Sequence, residues 1–312
     1  MNKEKQFINI IKEIFNNSLN KKILIDIGDD CAYISNNGNQ VITTDAIIED
    51  THFNLDTFSL EDIGWKSIAI NQSDICSMGA SPEYYNITLG LPSYFNEVQF
   101  RRIINGIKLA TDQFGGTLIG GDIIKSEKIL ISITAIGYLS SSKPPMARSK
   151  AIPGENIGVT GNLGNSLAFR MIKESKFINN FSEFHLRPKP KVSEGIYLYQ
   201  NGIDCCMDIS DGLLEDLTKL CEASKVSATV NIDHIPKNSK LKKMFPVESD
   251  DIALIGGEDY ELLFTFKSLP VEFLNKISII GKIENSDAKG SVKFIKNGSN
   301  YLPKIKPWTH FS

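Results

Sequence analysis

The stretch MDISDGLLED, residues 207–216, closes a strand-like run, Cys205–Ile209, and opens a helical apolar pattern, Leu213–Ala223. Between the two, Asp208 and Asp211 flank Ser210, Gly212 follows, and the motif itself holds no lysine or arginine to neutralise the acids. The alternation continues on both sides. Upstream, Asn156–Thr160 reads as a strand, GNLG as a Gly-rich turn and Asn165–Lys173 as a helix; downstream, Ala228–Ile232, Glu261–Phe266, Ser278–Ile283 and Val292–Lys296 read as strands. A chain that alternates strand and helix in this way has a mixed α/β (α+β) architecture.

The first half repeats the theme. Ile23–Ile27, Gln40–Thr44, Tyr84–Leu91 and Ile129–Tyr138 are rich in Ile, Thr, Val or Tyr, and helical patterns cover Leu60–Ser77 and Glu97–Phe114. No periodicity crosses SSSKPP, residues 140–145, so this stretch is the expected linker. Two domains follow, 1–140 and 141–312, as the length of 312 residues also suggests.

A net charge of −3 argues against a general nucleic-acid binder, which would show a basic excess or stripe. The five cysteines, Cys31, Cys76, Cys205, Cys206 and Cys221, are odd in number and lack C-x-x-C spacing. They suit buried thiols in a reducing compartment better than disulfides or a zinc site. The N-terminal MNKEKQFINIIKEIF puts Phe7, Ile10, Ile11 and Ile14 on one helical face and is too charged for a signal peptide. No apolar run reaches membrane-spanning length, so a cytoplasmic protein is expected.

Acidic residues recur in one setting. The segments are IDIGDDCA (25–32), ITTDAIIED (42–50), INQSDICSMGA (70–80), LIGGDIIK (118–125), MDISDG (207–212) and LIGGEDYEL (254–262). In five of the six an apolar β-type run ends in small residues and then one or two acids; in INQSDICSMGA the acid lies inside a helical pattern. Singly, each is read as a helix cap or a turn. Together they place carboxylates at element ends, where they converge in a cleft more readily. Two carboxylates ~4 Å apart repel by about 4 kcal/mol at an effective dielectric near 20, so such a cluster implies cations among them. Carboxylates and hydroxyls such as those of Thr43 and Thr44, beside Asp45, are ligands of hard Mg²⁺, and magnesium bridging a polyphosphate is the chemistry this pattern suggests.

The chain has no P-loop, no kinase H-R-D or D-F-G set and no G-x-G-x-x-G. GNLGNS at 161–166 has the glycines of an anion-holding turn without its lysine, and a plain strand-to-helix turn fits it equally well. Ser210 lacks the G-x-S-x-G elbow of a nucleophile, and its hydroxyl is expected to bond a phosphate or cap the following helix.

In order along the chain, IGDDCA, TTDAIIEDTHF, WKSIAINQSDICSMGASP, LIGGD, ARS, MDISDGL, GGEDYEL and a terminal W-x-H-F resemble the thiamine-monophosphate kinase family. That family shares a superfamily with aminoimidazole ribonucleotide synthetase, selenophosphate synthetase and a hydrogenase maturation factor. The resemblance runs from Phe7 to Phe311 and implies ATP-dependent, direct in-line phosphorylation of thiamine monophosphate to thiamine diphosphate, with several Mg²⁺ ions. It implies metal contacts from Asp30, Thr43, Thr44, Asp45, Asp74, Asp122, Asp208 and Asp211. ATP contacts would come from Gly121, Asp122, Arg148 and Ser210, and the thiamine substrate would be held by His52, Glu258 and Trp308. No side chain acts as nucleophile or general base. An N-terminal sheet domain carrying metal and ATP, dimerising through its sheet, and a C-terminal α/β domain completing the site are implied as well. Trp308 stands where the family also has tyrosine, and both rings can stack.

Two other readings remain. One is another ATP-using synthetase of the superfamily: selenophosphate synthetase would need a reactive Cys or Sec before Asp29, where this chain has none, and the maturation factor ends in a cysteine where this chain ends in HFS. The other is a nucleotide-binding module without turnover, which losses among the acidic turns would favour.

Overall fold

In a computed structural model of the chain, residues 3–15, 22–25, 33–34, 38–172, 180–285 and 290–305 are described. They divide into two compact units, Met1–Cys76 with Ala80–Lys143, and Ser77–Gly79 with Pro144–Ser312. No helix among the described residues is long and apolar enough to cross a membrane.

The first unit runs α1 (Lys3–Ile14), β1 (Ile23–Ile25), β2 (Tyr33–Ile34), β3 (Gln40–Ile48), α2 (Leu60–Ser77), β4 (Ser81–Leu91), α3 (Glu97–Phe114), β5 (Thr117–Lys125) and β6 (Leu130–Tyr138). Among the described residues, β1 pairs with β2, and the main sheet has the order β3-β6-β4-β5, antiparallel except for the parallel pair β4–β5. The alternation of LISITAIGY buries Ile131, Ile133 and Ala135 on one face, as a half-covered strand requires. Helix α3 starts in a capping box, Asn96 with Gln99, and buries Phe100, Ile103, Ile104, Ile107 and Ala110 at helical spacing. The amphipathic N-terminal helix forms as its pattern predicts: Phe7, Ile10 and Ile11 are buried, and Phe7 stacks on Phe100 with centroids 4.1 Å apart. Helices α2 and α3 touch backbone to backbone. A Cβ on Gly64 would overlap the Ile103 carbonyl, and one on Gly106 the Glu61 carbonyl.

The second unit runs β7 (Asn156–Thr160), α4 (Asn165–Met171), α5 (Ser182–Leu186), α6 (Val192–Gln200), β8 (Cys205–Ile209), α7 (Leu213–Ser224), β9 (Ser227–Asn231), a 3₁₀ turn (Ile232–His234), α8 (Ser239–Met244) and α9 (Ser249–Ile255). It continues with β10 (Glu261–Phe266), α10 (Val271–Leu274), β11 (Ile277–Glu284), β12 (Val292–Lys296) and β13 (Ser299–Asn300). Its described strands form one sheet, β13-β12-β9-β11-β7-β10-β8, in which only β12–β9 is parallel. Every residue of β10 is buried, the mark of a central strand covered on both faces. Helix α7 turns Leu213, Leu217, Leu220 and Cys221 into the core formed with Ile157, Val159, Met207 and Leu263. Cys76, Cys205, Cys206 and Cys221 are buried thiols, and Cys31 lies outside the described residues.

Two elements differ from their sequence patterns. Strand β3 continues four residues past Thr44 to Ile48, and LIGGDIIK runs through its glycines as strand β5. Asp45 and Asp122 therefore sit inside strands, not at element ends. The reason is pairing: β6 offers a nine-residue partner to β3, and β4 continues alongside β5 from Asn86 to Leu91 past a bulge at Tyr85/Asn86.

Candidate active site

In the first unit the contact is between β3 and α2. The Thr43 hydroxyl donates to Asp74 Oδ2 at 2.7 Å, and the backbone N–H of Asp45 donates to Asn71 Oδ1 at 3.1 Å. Asn71 and Asp74 are three residues apart, hence on one face of α2. Thr44, one residue out of phase, turns to β6, donating to the Ile133 carbonyl at 2.9 Å and lying 3.3 Å from the Thr134 hydroxyl. Asp74 is half-buried, while Asp45 is exposed.

Asp122 belongs to the other edge of the same sheet. Asp45, Ile133, Ile87 and Gly121 stand in one cross-strand row, so the two edges are three strand steps apart, about 14 Å along the sheet. Asp122 itself is exposed and accepts from the Ile123 N–H at 2.9 Å. Gly121 is required by close approach, since a Cβ there would overlap the Ile87 carbonyl. His52 lies just past β3, and its Nδ1 accepts from the Ile48 N–H at 3.1 Å. That bond fixes the tautomer: the ring proton is on Nε2. Asp30 lies outside the described residues.

Among the described residues no three His, Cys, Asp or Glu side chains gather closely enough to hold a metal ion. The donors that do meet, an alcohol and a carboxylate oxygen, are hard oxygen ligands of the kind Mg²⁺ takes, so the residues present fit that ion chemically.

In the second unit the turn of MDISDG is organised by a residue the sequence pattern did not single out. Asp216, fully buried in the first turn of α7, reaches back and accepts from the N–H groups of Ser210 (3.0 Å), Asp211 (2.9 Å) and Gly212 (3.1 Å). Lys219 pairs with Asp216 Oδ1 at 3.2 Å and with Asp211. So the cation absent from the motif arrives from the next helical turn, and the two aspartates of the turn are not left to repel each other. Asp216 thus satisfies the amides of the turn just ahead of the helix, and no side chain at the Gly212 cap position closes the helix start. Burial pushes the Asp216 carboxyl up, while Lys219 and the amides pull it down. Gly212 has φ 111°, and a Cβ there would lie 2.8 Å from the Ile255 carbonyl group. Asp208 is buried in β8 opposite Leu262 of β10.

The loop of GGEDYEL docks on this turn through its backbone. Glu258 N–H donates to the Ser210 carbonyl at 2.7 Å, and Tyr260 N–H to that of Ile209 at 2.9 Å. Glu258 and Tyr260 both adopt left-handed φ, 65° and 51°, a conformation non-glycine residues hold only where the surroundings enforce it. Asp259 supplies the enforcement, accepting from Gly164 N–H at 2.6 Å and Ser166 N–H at 3.2 Å. The glycine turn of GNLGNS thus holds an oxygen acceptor, and the acceptor is the chain's own carboxyl group. Burial pushes Asp259 up to about 7, against the pull of those amides. Arg148 is exposed, its carbonyl accepting from the Ser224 hydroxyl at 2.8 Å. Trp308 lies outside the described residues.

Asp216, Asp259 and Asn71 are the residues that sequence reading passed over. Asp259 stood inside a quoted motif, next to the acid that drew attention; Asp216 stood four residues after Gly212, at the spacing from which a helical side chain can reach back to its own N-terminus.

Comparison with known proteins bears on both units. The family models "AIR synthase related protein, N-terminal domain" and "AIR synthase related protein, C-terminal domain" match residues 28–139 and 155–293. The thiamine-monophosphate kinase of Haemophilus influenzae is 35% identical, over 93% of this chain and 92% of its own length. The crystal structure of thiamine-monophosphate kinase from Stenotrophomonas maltophilia K279a superposes with a TM-score of 0.82 at 30% identity, covering 94% of this chain and 96% of that one. A structure named "AaThiL complexed with AMPPCP and TMP" is 30% identical with a TM-score of 0.75, covering 99% of this chain and 97% of the other. With identity at this level along nearly its whole length, the chain belongs to the thiamine-monophosphate kinase family.

Proposed function

We propose that this protein transfers the terminal phosphoryl group of ATP directly to thiamine monophosphate, forming thiamine diphosphate. The observation that carries this reading is the likeness, over 99% of the chain, to a structure complexed with AMPPCP, an ATP analogue, and TMP. The chemistry suits the residue inventory. A phosphate monoester has its second pKa near 6 and is already anionic at neutral pH, so the acceptor needs no side-chain base. What has to be supplied is alignment of two polyanions and compensation of their charge.

Bound Mg²⁺ would supply positive charge against that of the phosphates. Asp30, Thr43, Thr44, Asp45, Asp74, Asp122, Asp208 and Asp211 are the residues proposed to hold them. Thr43, by donating to Asp74, holds that carboxylate against β3. Asp211 would exchange its pairing with Lys219 for a metal contact, leaving Lys219 on Asp216. Gly121, Asp122, Arg148 and Ser210 would contact ATP. His52, with its proton on Nε2, would donate to the acceptor phosphate, and Glu258 and Trp308 would hold the thiamine moiety. The thiazolium is a cation, which favours a carboxylate and an aromatic face. A homodimer joined through the N-terminal sheets and a cytoplasmic location complete the proposal. Strands β3 and β5 are the edges of that sheet, and an edge is where strands of two copies can pair.

The test is direct: incubation with ATP, Mg²⁺ and thiamine monophosphate should yield thiamine diphosphate and ADP in equal amounts. Release of inorganic phosphate without diphosphate ester would overturn the assignment. Light scattering should give twice the 34.7 kDa chain mass.

A further inference from the structure

The Glu258 side chain is gripped by two residues that no motif brought forward. Its Oε2 lies 3.5 Å from His185 Nδ1 of α5 and 4.0 Å from Arg170 Nε of α4. His185 is itself buried and fixed on two sides. Its ring stacks on Phe169 with centroids 5.0 Å apart, and its Nδ1 lies 2.9 Å from the Ser166 hydroxyl. Ser166 in turn gives its backbone N–H to Asp259, the neighbour of Glu258. Backbone and side chain of Glu258 are thus tied to the same short helix, the backbone through Asp259 and the side chain through His185 and Arg170.

The proton inventory gives this arrangement a direction. If Nδ1 were bare, the Ser166 hydroxyl would donate to it and the Glu258 carboxylate would face a lone pair. With the proton on Nδ1, one N–H points between the Ser166 hydroxyl and Glu258, and the carboxylate meets a donor. Both cationic or donor groups face the same oxygen, Oε2, so they bias the carboxylate toward one orientation. Arg170, an exposed side chain, adds a positive charge 4.0 Å from the same oxygen and so favours the orientation that keeps the two together.

We propose that His185 and Arg170 are positioning residues that aim Glu258 at the thiamine moiety and so set selectivity for it. This rests on Glu258 touching that substrate. The other reading of His185 is a core histidine that serves Phe169 alone, and the two readings diverge in kinetics.

The experiment is steady-state kinetics, varying thiamine monophosphate and ATP separately, on His185→Phe, His185→Asn, Arg170→Gln, Glu258→Gln and the double variant His185→Phe/Glu258→Gln. Phe keeps the stack and removes Nδ1; Asn returns an amide N–H close to where Nδ1 stood. Expected are a roughly tenfold rise in KM for thiamine monophosphate for His185→Phe, a several-fold rise for Arg170→Gln, smaller changes in kcat and an unmoved KM for ATP. His185→Asn should recover most of the loss, and the double variant should be no worse than Glu258→Gln, as expected of residues acting through one another. If Glu258→Gln raises that KM while His185→Phe and Arg170→Gln leave it alone, the positioning role is wrong and the substrate reading stands. If Glu258→Gln leaves it alone, the substrate reading of Glu258 falls and this proposal with it. Should His185→Phe not fold, Arg170→Gln, on an exposed side chain, decides by the same readout.

Discussion

The acids of the two units are written in similar sequence and used differently. At β3 and α2, Asp45 is exposed and Asp74 half-buried; the backbone N–H of Asp45 donates to Asn71, and the Asp74 carboxylate accepts from the Thr43 hydroxyl. In the turns of the second unit, Asp216 and Asp259 are sunk in protein and their oxygens are taken up by backbone N–H groups and a lysine. A carboxyl group taken up by amides is a structural acceptor, holding loops where helices begin. One nearer the surface, with a hydroxyl beside it, belongs to the oxygen donors that a hard cation takes. Small residues followed by an acid announce both, and it is burial that separates them.

That contrast can be broken at several points. The largest effect is expected at Asp74→Asn, which removes an anionic oxygen at constant size: kcat should fall on the order of 10²-fold or more with the unfolding temperature unchanged or raised. Near-normal turnover at limiting Mg²⁺ would return Asp74 to the structural class. Asp216→Ala should do the opposite kind of damage. It strands three amides and leaves Lys219 with Asp211 alone, and chemical denaturation should register a loss of about 3 kcal/mol.

Asp259 gives a smaller, pH-dependent signature. Its carboxyl is raised from 3.8 to about 7 in the folded chain, so between these values the folded state holds the proton that the unfolded state has released. Its contribution is complete below about pH 4 and is lost as pH rises through about 7. Stability should therefore fall over that window by up to about 1 kcal/mol per pH unit, and Asp259→Asn should flatten the slope. A slope identical in the variant would mean the amides dominate and the group titrates low. Smallest of all is the exposed pair of Arg102 with Glu61, bidentate at 2.7 and 2.8 Å: Arg102→Ala should cost under about 1 kcal/mol despite its geometry.

Much of the architecture was legible from period alone. The two-unit α/β plan, α3 and the strands around MDISDG follow from apolar spacing, because burial of one face is what the spacing records. What period does not record is partner choice. The extension of β3 to Ile48 depends on β6 offering partners through Leu130, eighty residues away in the chain, so Asp45 could not be placed mid-strand by local reading. Likewise the charge balance of the MDISDG turn lay in Lys219, outside the motif, and the occupant of the GNLG turn lay in Asp259, almost a hundred residues on. Motif resemblance nominated the residues of the candidate site; the supporting layer, Asn71, Asp216, Asp259 and His185, was singled out by no motif and is visible only in contact.

The glycine crossing of α2 and α3 carries a mechanical consequence. With Gly64 against the Ile103 carbonyl and Gly106 against that of Glu61, the two helices have no side-chain cushion between them and move as one beam, with α1 bolted on through Phe7 and Phe100. Asp74 is mounted on that beam and Thr43 on an edge strand. Any widening of their gap must either bend the strand or drag three helices, and the strand is far the softer of the two. Adjustment to an ion of a different radius should accordingly show as displacement of β3 and its flanking turn at His52, with the Cα trace of α2 standing still.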